Sequence, residues 1–283
     1  MLPDSAACTG RGRLQTDAEI SPVGGPASWR LQEAPVSVSS TSIQPDASTL
    51  LRGPHRREET FANELSPSAI TVGYWSALLA TTFSLAYVVG QLAEWLGWLG
   101  SRGGPESTST PLGIVVLLTP SLLLGSAFLV LVVSIHQVAP AERRIWSQSA
   151  LAFATAYAVL ISTVYFVQLT LVAPRLASGR MVGLEPFRFV PFDSFLYAVD
   201  ILGYSFMSLA TLFAARVFPG AGLQRVVRVF LTANGLLLPF LALQMYWHSL
   251  IWMASLWAVT FPGSTWALAV LFRRLRASNG VAV

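Results

Sequence analysis

The chain has 283 residues, of which 53% are hydrophobic and only 11% are charged. A soluble domain carries about 25% charged residues, so the composition excludes an ordinary water-soluble protein and predicts an integral membrane protein. The net charge of +4 comes from arginines between apolar stretches, which favours a membrane-orientation signal over nucleic-acid binding. All 18 basic residues are Arg, which we attribute to the coding bias of a GC-rich bacterial genome.

Residues 1–69 form a segment rich in Ser, Pro and Thr, with no sustained hydrophobic period. Such a segment buries too little apolar surface to offset the entropy of ordering it, so we expect a disordered cytoplasmic tail. The tail lacks the basic start and short apolar run of a secretory signal. A regulatory or partner-binding role for the tail is the alternative interpretation.

From residue 70 onwards the chain is dominated by long apolar stretches. A helix needs about 20 apolar residues to cross a hydrocarbon core of ~30 Å. Because lipid offers the backbone no hydrogen-bonding partners, each stretch must be helical. The expected fold class is therefore an all-α transmembrane domain, 70–283, with six helices over 72–93, 112–135, 149–172, 194–215, 229–247 and 250–272. Only two residues separate the last two helices, which predicts a tight hairpin.

Arginines flank these stretches unequally. One side of the membrane receives eleven of them, in the tail, after the second and fourth stretches and after the sixth, while the other side receives four. The positive-inside rule therefore predicts a bacterial inner-membrane protein with both termini in the cytoplasm. Pro120, Pro239 and Pro262 lie inside the second, fifth and sixth stretches, and we expect each to interrupt and kink its helix.

Asp200 lies six residues inside the fourth stretch, where an ionised carboxylate costs on the order of 3 kcal/mol unless it is paired or hydrated. Asp193, Tyr197, Tyr204 and Thr211 share its helical face by spacing, and this stripe should face the bundle interior. The assigned orientation places other polar helix ends in the same outer layer. The predicted polar cluster comprises Gln91, Glu94, Gln168, Asp193, Tyr197, Asp200, Tyr204, Gln244 and His248.

Two interpretations of this cluster compete. In the first it is a hydrogen-bonded plug, in which tyrosine hydroxyls and glutamine amides satisfy the acids and fix the helix register. In the second it is an outward-facing pocket for a cation, a proton or a small polar ligand, capped by the 173–192 connection with Phe187, Phe189 and Phe192. We predict no metal site and no cofactor, because the acids and the histidine lack any local ligand spacing. No nucleophile is paired with a base in one motif, so we do not expect an enzyme.

Residues 165–174, Tyr-Phe-Val-Gln-Leu-Thr-Leu-Val-Ala-Pro, are followed by Pro191, Asp200, the pair Gly203-Tyr204 and the pair Met207-Ser208. This pattern, over 165–210, resembles a family of uncharacterised bacterial multi-helix integral membrane proteins. Members of that family carry a Pro-His pair where this chain has Pro191 and Phe192. The resemblance implies the fold and the compartment and brings no activity with it.

The leading functional hypothesis is a non-enzymatic bundle that senses, binds or scaffolds at the membrane. The alternative is a transporter of a small solute, ion or proton that uses the outer-leaflet carboxylates. The expected partners are the lipid bilayer and a small polar ligand or cation, with no nucleic acid, and the sequence leaves the oligomeric state open.

Overall fold

The computed structural model describes residues 66–278, and its regular secondary structure over that range is helical, without strands. Six spans are long and apolar enough to cross a membrane, and we call them the first to the sixth span: Pro67–Trp95, Pro111–Gln137, Ala141–Ala177, Phe195–Ala215, Leu223–Leu243 and His248–Ser278. The predicted all-α, multi-pass architecture is therefore confirmed for the described residues. The predicted tail lies outside them up to residue 65, and its last residues, 67–69, belong to the first span.

The first two spans are continuous α-helices that begin at Pro67 and Pro111. Proline suits the first helical position, where no intrahelical partner is needed for the missing N–H. The Thr110 hydroxyl caps the second span by accepting a hydrogen bond from the Gly113 N–H at 3.1 Å. Both helices begin before the predicted apolar stretches, because a proline fixes the first turn of each and the Thr110 cap adds to this in the second.

The third span changes its helical geometry near its end. An α-helix, Arg144–Val167, continues into a π-helical turn, Gln168–Val172, and then a short α-helix, Ala173–Ala177. Pro174 cannot donate a backbone hydrogen bond, and its ring crowds the preceding turn, so the wider π turn lets the helix pass this proline. The span therefore ends five residues after the predicted boundary at 172.

The fifth and sixth spans form the predicted hairpin, but its turn is 244–247 and not the predicted 248–249, which belong to the sixth span. Both spans have interrupted helices: Leu223–Gly235 and Leu238–Leu243 in the fifth, and Ile251–Ala254 and Trp257–Ser278 in the sixth, which opens with the 3-10 turn His248–Leu250. The fifth span begins six residues before the predicted start at 229. Its first turns carry Arg225 and Arg228, which end the apolar stretch without ending the helix.

Of the three prolines expected to interrupt helices, only Pro239 lies next to a break, at Leu236 and Leu237. Pro120 and Pro262 lie inside continuous helices, so the interruption predicted at these two positions is wrong. Membrane helices tolerate such prolines because neighbouring groups and small backbone adjustments satisfy the freed carbonyls.

The six spans pack as a ring in sequence order, and the sixth span closes the ring on the first. At this closure Thr81 and Thr265 share a hydrogen bond of 2.8 Å. Within the ring, five buried aromatic side chains contact one another in a closed cycle with centroid separations between 5.1 and 5.9 Å. We call this cycle the aromatic layer: Phe128, Tyr157, Tyr204, Trp257 and Phe261.

Candidate binding site

A cavity of about 300 Å³ adjoins the aromatic layer, with Tyr204 and Trp257 belonging to both. The cavity lies towards the end of the bundle that carries the connections 96–110 and 178–194 and the turn 244–247. We call this end the cavity side. A volume of this size is at the lower end of the range for small-ligand pockets.

The predicted polar cluster converges on this cavity to a large extent. Six of its nine residues line it: Gln91, Glu94, Tyr197, Asp200, Tyr204 and Gln244. They come from the end of the first span, the start of the fourth and the end of the fifth. Residues that are far apart in the chain therefore surround one cavity. This is expected if the alternating direction of the spans places these helix ends in one layer.

A smaller cavity of about 60 Å³ is adjacent, and Asp200 lines both cavities. Gln168 lines this smaller cavity together with Tyr165 and the partly buried Arg188. The Gln168 Nε2 donates a hydrogen bond of 2.6 Å to the Phe187 carbonyl. The π turn that starts at Gln168 thus ties the third span to the connection that follows it.

Two predicted cluster residues lie elsewhere. Asp193 is exposed and precedes the helix, because Ser194 has extended backbone and caps the fourth span through the Tyr197 N–H. The predicted helical stripe therefore starts at Tyr197, and including Asp193 in it was wrong. His248 is half-exposed on the surface, where its ring stacks on Phe192 at 4.2 Å and its Nδ1 lies 3.6 Å from Glu106.

The 178–194 connection covers part of the cavity. Phe189 and Pro191 line it, and the rings of Phe189 and Phe192 pack edge-on against Tyr197 at 5.3 and 5.2 Å. Phe192 has a φ of 63°, a left-handed conformation that bulky residues rarely adopt. The contacts of its ring with Tyr197 and His248 hold Phe192 in this strained conformation.

Asp200 is only 6% exposed, and its Oδ1 has no hydrogen-bonding partner among the described residues. Of the nearby tyrosines, Tyr165 hydrogen-bonds the Asp200 carboxylate, and its hydroxyl also lies 3.2 Å from the Tyr204 hydroxyl. Tyr87 donates to the Gln91 Oε1 at 2.9 Å and Tyr197 to the Gln244 Oε1 at 3.3 Å. This arrangement disfavours the plug interpretation, which requires tyrosine hydroxyls and glutamine amides to satisfy the acids.

Glu94 is the second acid of the cavity lining and is 3% exposed. Neither of its carboxylate oxygens has a hydrogen-bonding partner among the described residues. Its Oε2 packs against Gly113, so closely that a Cβ at that glycine would lie 2.7 Å from it. Gly113 is in the first turn of the second span, where the positive end of the helix dipole favours a carboxylate.

Basic side chains are absent from the described lining of the larger cavity, although two acids belong to it. A buried charge without a partner costs several kcal/mol, so this site favours a positively charged occupant. The described residues contain no group of three or more His, Cys, Asp and Glu side chains that could hold a metal ion. The cavity is instead rich in aromatic rings that attract organic cations: Tyr87, Trp95, Tyr197, Tyr204 and Trp257.

Three of these aromatic residues, Tyr87, Trp95 and Trp257, were not in the predicted cluster. Tyr87 precedes Gln91 by four residues and Glu94 by seven, so helical spacing alone places it on their face. That spacing was the available signal. Trp257 has no such signal in the sequence, because an aromatic residue inside an apolar stretch gives the same hydropathy pattern whether it faces lipid or a cavity.

Comparison with known proteins adds no further residues to this site. No protein-family model, no curated protein and no solved structure matches the chain.

Proposed function

We propose that the protein is a non-enzymatic membrane binding protein whose cavity takes a small organic cation. The observation that carries this proposal is a pair of buried acids beside a cavity of about 300 Å³ whose described lining has no basic residue. The Asp200 Oδ1 and both Glu94 carboxylate oxygens lack hydrogen-bonding partners among the described residues. The cation would pair with Asp200, and the tyrosine and tryptophan rings around it would each add about 0.5–2 kcal/mol of cation–π attraction.

We also propose that the protein lies in a bacterial inner membrane with both termini in the cytoplasm and the cavity side facing outwards. Among the described residues, eight arginines flank the end opposite the cavity and four lie on the cavity side. The eight are Arg143, Arg144, Arg216, Arg225, Arg228, Arg273, Arg274 and Arg276. The four are Arg102, Arg175, Arg180 and Arg188. This imbalance supports the proposed orientation, and the resemblance over 165–210 supports the same compartment.

The proposal is tested by calorimetric titration of the purified protein, in uncharged detergent, with butylammonium and with pentanol, a neutral alcohol that is one carbon longer. We expect measurable binding of butylammonium and none of pentanol. An ionic hydrogen bond contributes about 1.5–3 kcal/mol, so Asp200→Asn should weaken butylammonium binding by roughly 10- to 150-fold.

Asp193→Asn is the matched control, because it makes the same chemical change at an exposed residue outside the cavity. It should leave the affinity for butylammonium unchanged. Equal effects of the two aspartate substitutions, or equal affinity for butylammonium and pentanol, would contradict a cation site at Asp200.

Transport of the same cation is a second candidate function, and the backbone of three spans favours it. The third, fifth and sixth spans carry a π turn or a helix break, and each of them contributes residues to one of the two cavities. Broken helices beside a midmembrane site are typical of transporters. Uptake of labelled butylammonium into proteoliposomes, abolished by Asp200→Asn, would favour transport, and binding without uptake would favour a receptor.

A further inference from the structure

The first and sixth spans touch at two levels on the cavity side. Tyr87 packs edge-on against Trp257 at a centroid separation of 5.6 Å, and Trp95 packs against Trp252 at 5.5 Å. Tyr87 and Trp95 are eight residues apart, which corresponds to ~12 Å along a helix. The cavity reaches the space between these two contacts.

Both spans line the cavity around these two contacts. Besides the polar Gln91 and Glu94, the lining there includes Val88 and Leu92 from the first span and Ile251, Ala254, Ser255 and Ala258 from the sixth. Leu92 both lines the cavity and is 54% exposed on the bundle. The sixth span presents small side chains here, and we call the part of the cavity wall formed by Val88, Leu92 and these sixth-span residues the lateral gap. Its lining is apolar except for Ser255.

The two long connections cover the aqueous side of the cavity. Residues of both long connections line it there, among them Pro105 and Pro191. The Gly104 N–H donates to the Trp95 carbonyl at 2.9 Å, which attaches one connection to the end of the first span. Glu106 lies 3.6 Å from the His248 Nδ1, which joins the same connection to the hairpin turn.

We infer that the ligand is a single-chain amphiphilic amine that reaches the cavity through the lateral gap from the surrounding membrane. This inference rests on the proposed function and names its ligand class. The ammonium group pairs with Asp200, while the alkyl chain passes between the first and sixth spans into lipid. A cavity of about 300 Å³ holds the head and the first part of the chain. A lipid with an anionic head is disfavoured by the two acids.

The test uses phosphatidylcholine nanodiscs that contain the protein and dodecylamine with a photoreactive group in its chain. The matched probe is dodecanoic acid with the same group at the same position. After irradiation, peptide mass spectrometry should find the amine attached at Val88, Leu92 or Ala258, with at least tenfold less label from the acid. Asp200→Asn should lower the amine label at these positions at least tenfold, and Asp193→Asn should not.

A second variant separates the lateral route from the binding site. Ser255→Trp fills the lateral gap and should lower dodecylamine labelling at least tenfold, a larger loss than that of butylammonium binding. Ser249→Trp, at an exposed residue of the 3-10 turn His248–Leu250, should change neither. Butylammonium binding without dodecylamine labelling at the gap, or equal loss of both ligands in Ser255→Trp, would overturn the lateral route and leave the cation site standing. Absence of butylammonium binding to the unmodified protein would overturn the proposed function itself.

Discussion

Replacement of Gly113 by alanine tests the packing that places Glu94 at the start of the second span. An added Cβ would lie 2.7 Å from the Glu94 Oε2 and 3.2 Å from the Ser109 Cβ. Both distances are shorter than ordinary van der Waals contacts, and Glu94 is buried, so its carboxylate must move into less favourable surroundings. Gly113→Ala therefore tests whether the Glu94 carboxylate packs against the first turn of the second span.

The expected magnitude follows from two opposing effects. Overpacking a buried site costs about 1–3 kcal/mol, whereas Gly→Ala within a helix stabilises by roughly 0.5–1 kcal/mol. The net expectation for Gly113→Ala is a loss of about 1–2 kcal/mol. In a Glu94→Ala background the contact between the added Cβ and the Glu94 Oε2 is absent, so Gly113→Ala should become neutral or slightly stabilising. The coupling energy between the two sites should then be about 1–3 kcal/mol.

Gly125→Ala is the matched control, because Gly125 lies in the same helix and is also buried, but its nearest neighbour would be 3.9 Å from the new Cβ. This variant should gain about 0.5–1 kcal/mol. The free energy of unfolding is measured by titration with sodium dodecyl sulfate in mixed micelles, followed by circular dichroism. The reasoning is refuted if both glycine variants shift stability in the same direction, or if Glu94→Ala and Gly113→Ala are additive.

Two further predictions concern the bundle. Asn234 forms hydrogen bonds with Thr211 of the fourth span at 3.1 Å and with Thr260 of the sixth at 3.0 Å. Asn234→Leu should therefore lower the free energy of unfolding by about 1–2 kcal/mol. This magnitude combines two membrane hydrogen bonds of ~0.6 kcal/mol each with the imperfect packing of the leucine. An unchanged unfolding curve would exclude this role. The second prediction concerns the cytoplasmic location of the C-terminus. A green fluorescent protein fused after Val283 should fluoresce in bacterial cells, and alkaline phosphatase fused there should be inactive. The reverse result would contradict cytoplasmic termini.

Hydropathy predicts the number of spans because each one must satisfy the same requirement, an apolar length that matches the bilayer. It predicts their ends less well. The fifth span includes Arg225 and Arg228, and the third continues past Pro174, because helices extend into the polar interface where hydropathy no longer reports them. The breaks near Leu236 and Ser255 depend on local packing, and only the first lies beside a proline.

The membership of the candidate site is partly predictable for a related reason. Alternating span direction places Glu94 and Asp200 in one layer, and helical spacing places Tyr197 and Tyr204 on one face. Which side chains then reach one cavity depends on the order of packing around the ring. The closure of the sixth span on the first, which brings Trp257 beside Tyr87, has no signal in the apolar pattern of either span.

The aromatic layer bears on the choice between binding and transport. It closes the ring interior next to the cavity, and Trp257 is held within it by stacking on Phe261 at 5.1 Å and by donating its Nε1–H to the Met207 Sδ at 3.2 Å. Passage of a cation through the bundle requires these contacts to separate, and the helix break at Ser255 and Leu256 directly before Trp257 is where the sixth span can bend. A cation held at Asp200 without such bending would still contact Tyr204 and Trp257. Because both rings belong to the aromatic layer, the bound cation would then affect ring contacts in the second and third spans, as a receptor requires.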